Sequence, residues 1–392
     1  TKSISLDYEN RLKAIFEDFH AHPELSLAEF ETAKKISAAL KNHGFKVTEN
    51  VGGTGVVALL ENGKGPLVMM RADMDGLPLE EKTDLPYASK DKQLDPVTGN
   101  IFPVMHACGH DVHITALIGT AKQMVDLKGE WSGTLMLIAQ PAEERVLGAR
   151  NMMNDNLWER FGKPDYALAF HVSSMLPSGI VNVVDGSPYA GADTVDIYVH
   201  GIGAHGASPH AGKDPIVLGS QIVNSLQTLV SRELPPRQPG VVTVGAFHSG
   251  TKHNIISDMA HLQLTVRNTN DKTRDTLLSG IKRISENLGR AAGLPEDKLP
   301  EVVVSEESTP PTINDTELAN RLKNLWQEKM GINRVTSYSS DGMGAEDFPF
   351  FTRDPHIPSV YFAVGGTNHD YFKAALDGSG PPIPSHHSPI FK

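Results

Sequence analysis

Within nine residues, Met105-His106-Ala107-Cys108-Gly109-His110-Asp111-Val112-His113 gathers one thiol, three imidazoles and one carboxylate. Cys108 is the sole cysteine of the 392-residue chain, so it has no internal disulfide partner. Thiolate, imidazole and carboxylate together are the ligand set of first-row divalent metals. Residues two apart do not share a helix face, so Cys108 and His110 converge only on a loop. Gly109 gives that loop an unusual backbone turn. Asp111 reads as the cap of a helix that follows, its positive end near the site. The plainer alternative is a buried structural cysteine among incidental histidines.

Other donors lie far along the chain. Gln140-Pro141-Ala142-Glu143-Glu144 follows an apolar strand. Adjacent strand residues point to opposite sides, so beside a metal one glutamate ligates while the other takes a proton from water. Away from a metal they are two solvated acids opening a loop. His171 is expected at the end of a buried strand, and His386-His387 adds imidazoles near the end of the chain. In open α/β sheets, ligands gather at the carboxyl ends of strands, and Cys108, Glu144 and His171 all follow or flank such ends. Asp73 or Asp75, in Arg71 to Pro78, would support a ligating histidine from behind, or else form a solvent-facing turn. Gly203 to His210 is a small-residue loop with His205 suited to polarising a carbonyl or stabilising an oxyanion. Asn254 adds a donor, and Arg267 suits capture of a carboxylate, a surface salt bridge being the alternative.

The elements that must hold these groups follow from periodicity. Leu12, Ile15, Phe16 and Phe19, then Ala33, Ile36, Ala39 and Leu40, recur at helical spacing, with Gly44 as the stop. Apolar runs at 56–60, 67–70, 135–138 and 166–170 lack alternation, as in strands covered on both faces, and a helix over 111–127 separates two of them. This is an α/β layer architecture with a central sheet. From about 187 strands alternate: Val195, Ile197 and Val199, then 241–247 and 261–267, with helices after Pro215 and over 271–292. A smaller α+β domain is therefore inserted, with catalytic metal-binding segments at 1–186 and 309–392 and the insert at 187–308. Formal net charge is −11, which argues against nucleic acid, and no apolar run approaches the ~20 residues of a membrane helix. A single cysteine fits a reducing, cytoplasmic compartment. Thr1 in first place leaves a processed periplasmic or secreted form open.

In seven segments the chain resembles the amidohydrolase branch of the M20 metallopeptidase family, which includes hippurate hydrolases, aminoacylases and auxin-conjugate hydrolases. The segments are His22 to Leu25, Arg71 to Pro78, His106 to Asp111, Gln140 to Glu144, His205 to His210, Gly344 to Phe348 and His387 to Pro389, in family order. The resemblance implies a zinc-peptidase-like α/β domain with a central mixed sheet and an inserted ferredoxin-like lid. It implies two divalent metal ions per subunit, zinc or manganese first and cobalt or nickel next. Cys108 matches the bridging ligand, His110, Glu144, His171 and His387 the others, and Glu143 the general base. His205 matches the lid histidine that stabilises the oxyanion, sometimes across a homo-oligomer, and Asn254 and Arg267 match lid contacts to the amino-acid half. Arg145-Val146-Leu147 stands where relatives carry glycines, which bears on the acyl pocket. Arg71 to Asp75 lacks the ligating histidine of the peptidase branches, in agreement with the amidohydrolases. Relatives commonly continue with a further terminal helix.

The expected activity is hydrolysis of a small-molecule N-acyl amino acid to a carboxylate and a free amino acid, with no nucleic acid or membrane partner. A dipeptidase or carboxypeptidase on the same scaffold is the nearest alternative. A non-catalytic metal-binding or redox-sensing protein, with Cys108 as sensor, is the alternative of another class.

Overall fold

Val56, Val57 and Ala58, and Met136 to Ala139, are fully buried because their strands are covered on both faces. They belong to an eight-stranded mixed sheet in a computed structural model that describes residues 2–339 and 342–392. Its strands lie in the order Lys46–Val51, Gly55–Asn62, Gly133–Gln140, Leu67–Asp73, Tyr166–Pro177, Ser359–Thr367, Val181–Asn182, Val335–Thr336. The inner four, from Gly133–Gln140 to Ser359–Thr367, are mutually parallel, so their carboxyl ends share one edge. Asp73 stands opposite Gln140 there.

Contacts divide the described chain into a unit of 2–188, 313–339 and 347–392, and a second of 189–312 with 342–346. In the first, helices Lys13–Ala21, Phe30–Asn42 and His110–Asp126 bring Phe19, Ile36, Leu40, Ile114 and Leu117 against Val56, Ala58, Leu135 and Leu137. Each such side chain contributes roughly 1.5–3 kcal/mol on burial. Leu318 and Ala319 of helix Thr316–Met330 pack with Val360, Val335 and Val183.

The second unit alternates as its sequence does. Gly191–His200 buries Val195, Ile197 and Val199 and leaves their neighbours partly exposed. Its sheet runs Gly240–Ser249, Met259–Asn268, Gly191–His200, Glu301–Val304, all antiparallel. Helices Pro215–Thr228 and Asp271–Ala291 cover the buried face with Leu218, Ile222, Leu277 and Ile281. The order of its sheet strands and these two helices along the chain is β-α-β-β-α-β. Asp214 caps the first helix through the N–H groups of Ile216 and Val217, and Asn270 caps the second through Thr273. Such caps stabilise a helix by about 1 kcal/mol.

Two features differ from expectation. Tyr166–Pro177 is twelve residues long, so His171 lies mid-strand, paired with Ala363, and does not end it. Its neighbour Leu67–Asp73 last pairs with it at Ala169, so His171 still stands at the sheet's carboxyl edge. A short hairpin, Lys92–Leu94 with Ile101–Pro103, also has no apolar run to announce it.

Candidate metal centre

Gly109 sets the first two donors. Its φ is +83°, and a Cβ there would stand 2.4 Å from Val172 Cγ1, so only glycine fits. The helix begins directly at His110. Asp111 does not cap it. Asp111 lies in the first turn, and its Oδ2 is 2.7 Å from His20 Nδ1, whose Nε2 is 3.0 Å from Glu81. His110 Nδ1 donates to the carbonyl of Asp75 at 2.9 Å, which turns Nε2 inward, where it is buried without a hydrogen-bond partner. That nitrogen is 3.9 Å from Glu143 Oε2 and 3.9 Å from Glu144 Oε1. His171 Nε2 is 3.4 Å from Cys108 Sγ, and its Nδ1 donates to the Val172 carbonyl at 2.6 Å. His387 takes a left-handed backbone, φ +63°, donates its N–H to the Ala107 carbonyl, and brings Nε2 within 3.4 Å of Glu144 Oε1.

Two triads result. Cys108, His110 and His171 have ligand atoms within 4.8 Å of one another, and so do Cys108, Glu144 and His387. The thiol belongs to both. Glu143 adjoins them in a third group with His110 and Glu144. Donors around a tetrahedral ion at zinc distances are roughly 3.4–3.8 Å apart, which matches the 3.4 Å contacts above. His106 and His386 enter neither triad. His106 is buried with neither ring nitrogen bonded, and His386 Nε2 accepts from Ser174 N–H at 3.4 Å.

The electrostatics call for added positive charge. Burial, then Glu144, Glu143 and Asp73, push the Cys108 thiol well above its ordinary range, so a thiolate there needs a cation beside it. Burial would lower His110, yet Asp73, Asp75 and Glu144 carry it up to about 10. Burial and the neighbouring His113 and His386 hold His171 neutral, as a ligating imidazole must be. An orphaned buried nitrogen, surplus carboxylate and soft sulfur fit a pair of divalent cations.

Asp75 Oδ1 lies 3.3 Å from His110 Nδ1, and Asp73 Oδ2 lies 3.7 Å from His110 Nε2 without a hydrogen bond to it; the hydrogen bonds of Asp73 go elsewhere. Its Oδ1 accepts from His113 Nδ1 at 2.5 Å, and its Oδ2 from Arg71 at 2.6 Å. His113 Nε2 in turn accepts the Val172 N–H, fixing the strand beside His171. Arg71, fully buried, also reaches Gln140 at 2.7 Å and Asp347 at 3.2 Å. Asp347 binds the N–H of Ala149, just past the glutamate pair. This ties the ends of strands Leu67–Asp73 and Gly133–Gln140 into one charged cluster. The glutamates themselves form a one-turn 3₁₀ segment, Glu143–Arg145, flanked by left-handed Ala142 (φ 48°) and Val146 (φ 57°). Each such residue costs about 1–2 kcal/mol.

In the second unit, His205 pairs with Ile255, and the Asn254 carbonyl accepts the Gly206 N–H, so His205 and Asn254 share one corner. His205 is exposed, while Asn254 Oδ1 is buried without a partner. Arg267 is not with them. It lies opposite Ala192 and Val241, roughly 25 Å along its strand from Met259, where that corner begins. It is half-buried, and Asp193 pairs with Arg274 at 2.5 Å.

Residues 69–375 match the model of peptidase family M20/M25/M40. The chain belongs to that family. Among M20 relatives, thermostable carboxypeptidase 1 of Saccharolobus solfataricus is 36% identical over 366 residues, covering 92% of this chain and 87% of that protein. Hippurate hydrolase of Campylobacter jejuni is 36% identical over 347 residues, covering 88% and 86%. Among solved structures, the Bacillus subtilis YXEP protein, described as a dinuclear metal-binding peptidase from the M20 family, is similar with a TM-score of 0.78 and 28% identity, over 100% of this chain and 93% of that one. No described helix of this M20 chain is long and apolar enough to cross a membrane.

Proposed function

We propose that this chain is a metal-dependent amidohydrolase that cleaves N-acyl amino acids to a carboxylate and a free amino acid. The observation that carries the reading is one sulfur shared by two donor triads, with a second glutamate beside them. Cys108, His110, His171, Glu144 and His387 would hold the two cations, Cys108 being common to both triads. Zinc or manganese suits the mixed donors best, with cobalt or nickel next. A pair of such ions supplies Lewis acidity, polarising the amide carbonyl and acidifying the attacking water.

The chain's own groups then do the proton work. Glu143, only 8% exposed, accepts the water's proton and returns it to the leaving amine. His205 donates to the oxyanion, and Asn254 and Arg267 hold the carboxylate of the amino-acid half. The second unit acts as the lid. Because His205 lies beyond the Met259 end of strand Met259–Asn268 and Arg267 near its other end, a homo-oligomer supplies one of them from a second copy. The open edge Gly240–Ser249 suits that pairing. A reducing, cytoplasmic setting keeps lone Cys108 a thiol.

A carboxypeptidase or dipeptidase reading is favoured by one observation, the 36% identity to thermostable carboxypeptidase 1. Kinetics on N-acetyl and N-benzoyl amino acids against the matching dipeptides separate the two. A kcat/KM at least tenfold higher for the acylated compounds supports the amidohydrolase; the reverse order assigns a peptidase. The sensor reading is disfavoured by Glu143, since metal binding alone requires no such acid beside the ligands.

A further inference from the structure

The loop after His22-Pro23 bears no ligand and no proton-transfer group, yet it touches both sides of the glutamate turn. Glu24 anchors it: its carboxylate accepts from Thr32 N–H at 2.7 Å, and its carbonyl accepts the Gly76 N–H at 2.7 Å. Ser26 Oγ donates to Asp75 Oδ2 at 2.6 Å, and the same oxygen accepts the Glu144 N–H at 3.0 Å. Three residues on, Glu29 is fully buried. Its Oε1 accepts from Ala142 N–H at 2.8 Å and Leu27 N–H at 3.0 Å, and its Oε2 from Thr54 Oγ1 at 2.6 Å.

We propose that Glu29 is a positioning residue for Glu143, holding Ala142 in the left-handed conformation that aims the glutamate pair at the donor triads. A left-handed alanine persists only where its surroundings over-determine it. Here one deeply buried carboxylate, 113 residues away in sequence, receives its N–H. Ser26 and Asp75 fix the other end of the same peptide pair through Glu144. The turn is thus templated from outside its own strand. The inference rests on the reading of Glu143 as proton acceptor.

The test compares wild type with Glu29→Gln, Glu29→Ala and Glu29→Ala/Ala142→Gly. Readouts are kcat and KM on an N-acyl amino acid, bound metal by elemental analysis, thermal melting, and hydrogen exchange of the peptide spanning 142–146. Glu29→Gln keeps the acceptor for Ala142 and offers its amide to Thr54, so kcat stays within about threefold of wild type. Glu29→Ala lowers kcat at least tenfold, with KM and metal content within about twofold, and exchange over 142–146 speeds up. Glycine adopts this backbone without a Cβ, so Ala142→Gly restores part of the lost kcat. A folded Glu29→Ala with unchanged kcat, or a loss that Ala142→Gly does not relieve, overturns the proposal. If Glu29→Ala does not fold, Glu29→Asp decides, because its shorter reach must cost kcat in the same way; an unchanged kcat there overturns it. An inactive wild type, or an active Glu143→Gln, instead refutes the proton-acceptor reading on which the inference stands.

Discussion

Replacing His20 by glutamine should destabilise the fold in a pH-dependent way. His20 is 3% exposed and stands between two acids, 2.7 Å from Asp111 and 3.0 Å from Glu81. Burial alone would lower its pKa, but the hydrogen bonds to Asp111 and Glu81 outweigh that and raise it from 6.5 to about 9. A histidine held above its unfolded value adds stability that is fully present below pH 6.5 and lost as pH rises through 9. The rise corresponds to about 3 kcal/mol. The lowered values of Asp111 and Glu81 describe the same contacts from the other side and add nothing further. Urea denaturation of wild type and His20→Gln, in parallel at pH 6, 8 and 10, measures the difference. The wild-type advantage should shrink by about 3 kcal/mol from pH 6 to pH 10. An advantage constant across that range would refute a charged His20 clamp.

Glu143→Gln should bind metal as wild type does and lose kcat by about 10²–10⁴-fold, the usual worth of a general base, as read by steady-state kinetics with elemental analysis. Gly109→Ala should lower the melting temperature, since a left-handed alanine costs about 1–2 kcal/mol before its clash with Val172 is counted. Val172→Ala in the same chain should recover part of that loss. Asp73→Asn should weaken the His113 and Arg71 contacts together, costing about 3–5 kcal/mol because it strips a buried ion pair of its charge, and chemical denaturation reads it.

The segments that meet in the candidate metal centre were legible because their chemistry is local. Cys108-Gly109-His110 carries a thiol, an imidazole and the glycine between them, and the apolar runs locate the strand that holds His171 and the one that leads into Glu144. Family membership was legible from seven segments in order. Long-range pairings were not. Nothing near Asp111 announces that it turns from capping a helix to gripping His20, 91 residues earlier. Nothing near Glu29 marks it as the partner of Ala142, since a single buried glutamate at a helix start reads as an ordinary capping acid. The length of Tyr166–Pro177 was underestimated because Ser173 and Ser174 interrupt the apolar run, while pairing with Ser359–Thr367 carries the strand onward. Nothing in Arg71 to Pro78 announces that Arg71 is fully buried, which Asp73 and Asp347 together allow.

Elemental analysis of active, purified wild type beside Cys108→Ala tests the central claim most directly. Two first-row divalent ions per chain in wild type, falling with activity when the shared sulfur is removed, is the predicted result. Full hydrolytic activity with no stoichiometric metal, or two ions retained without Cys108, would contradict it.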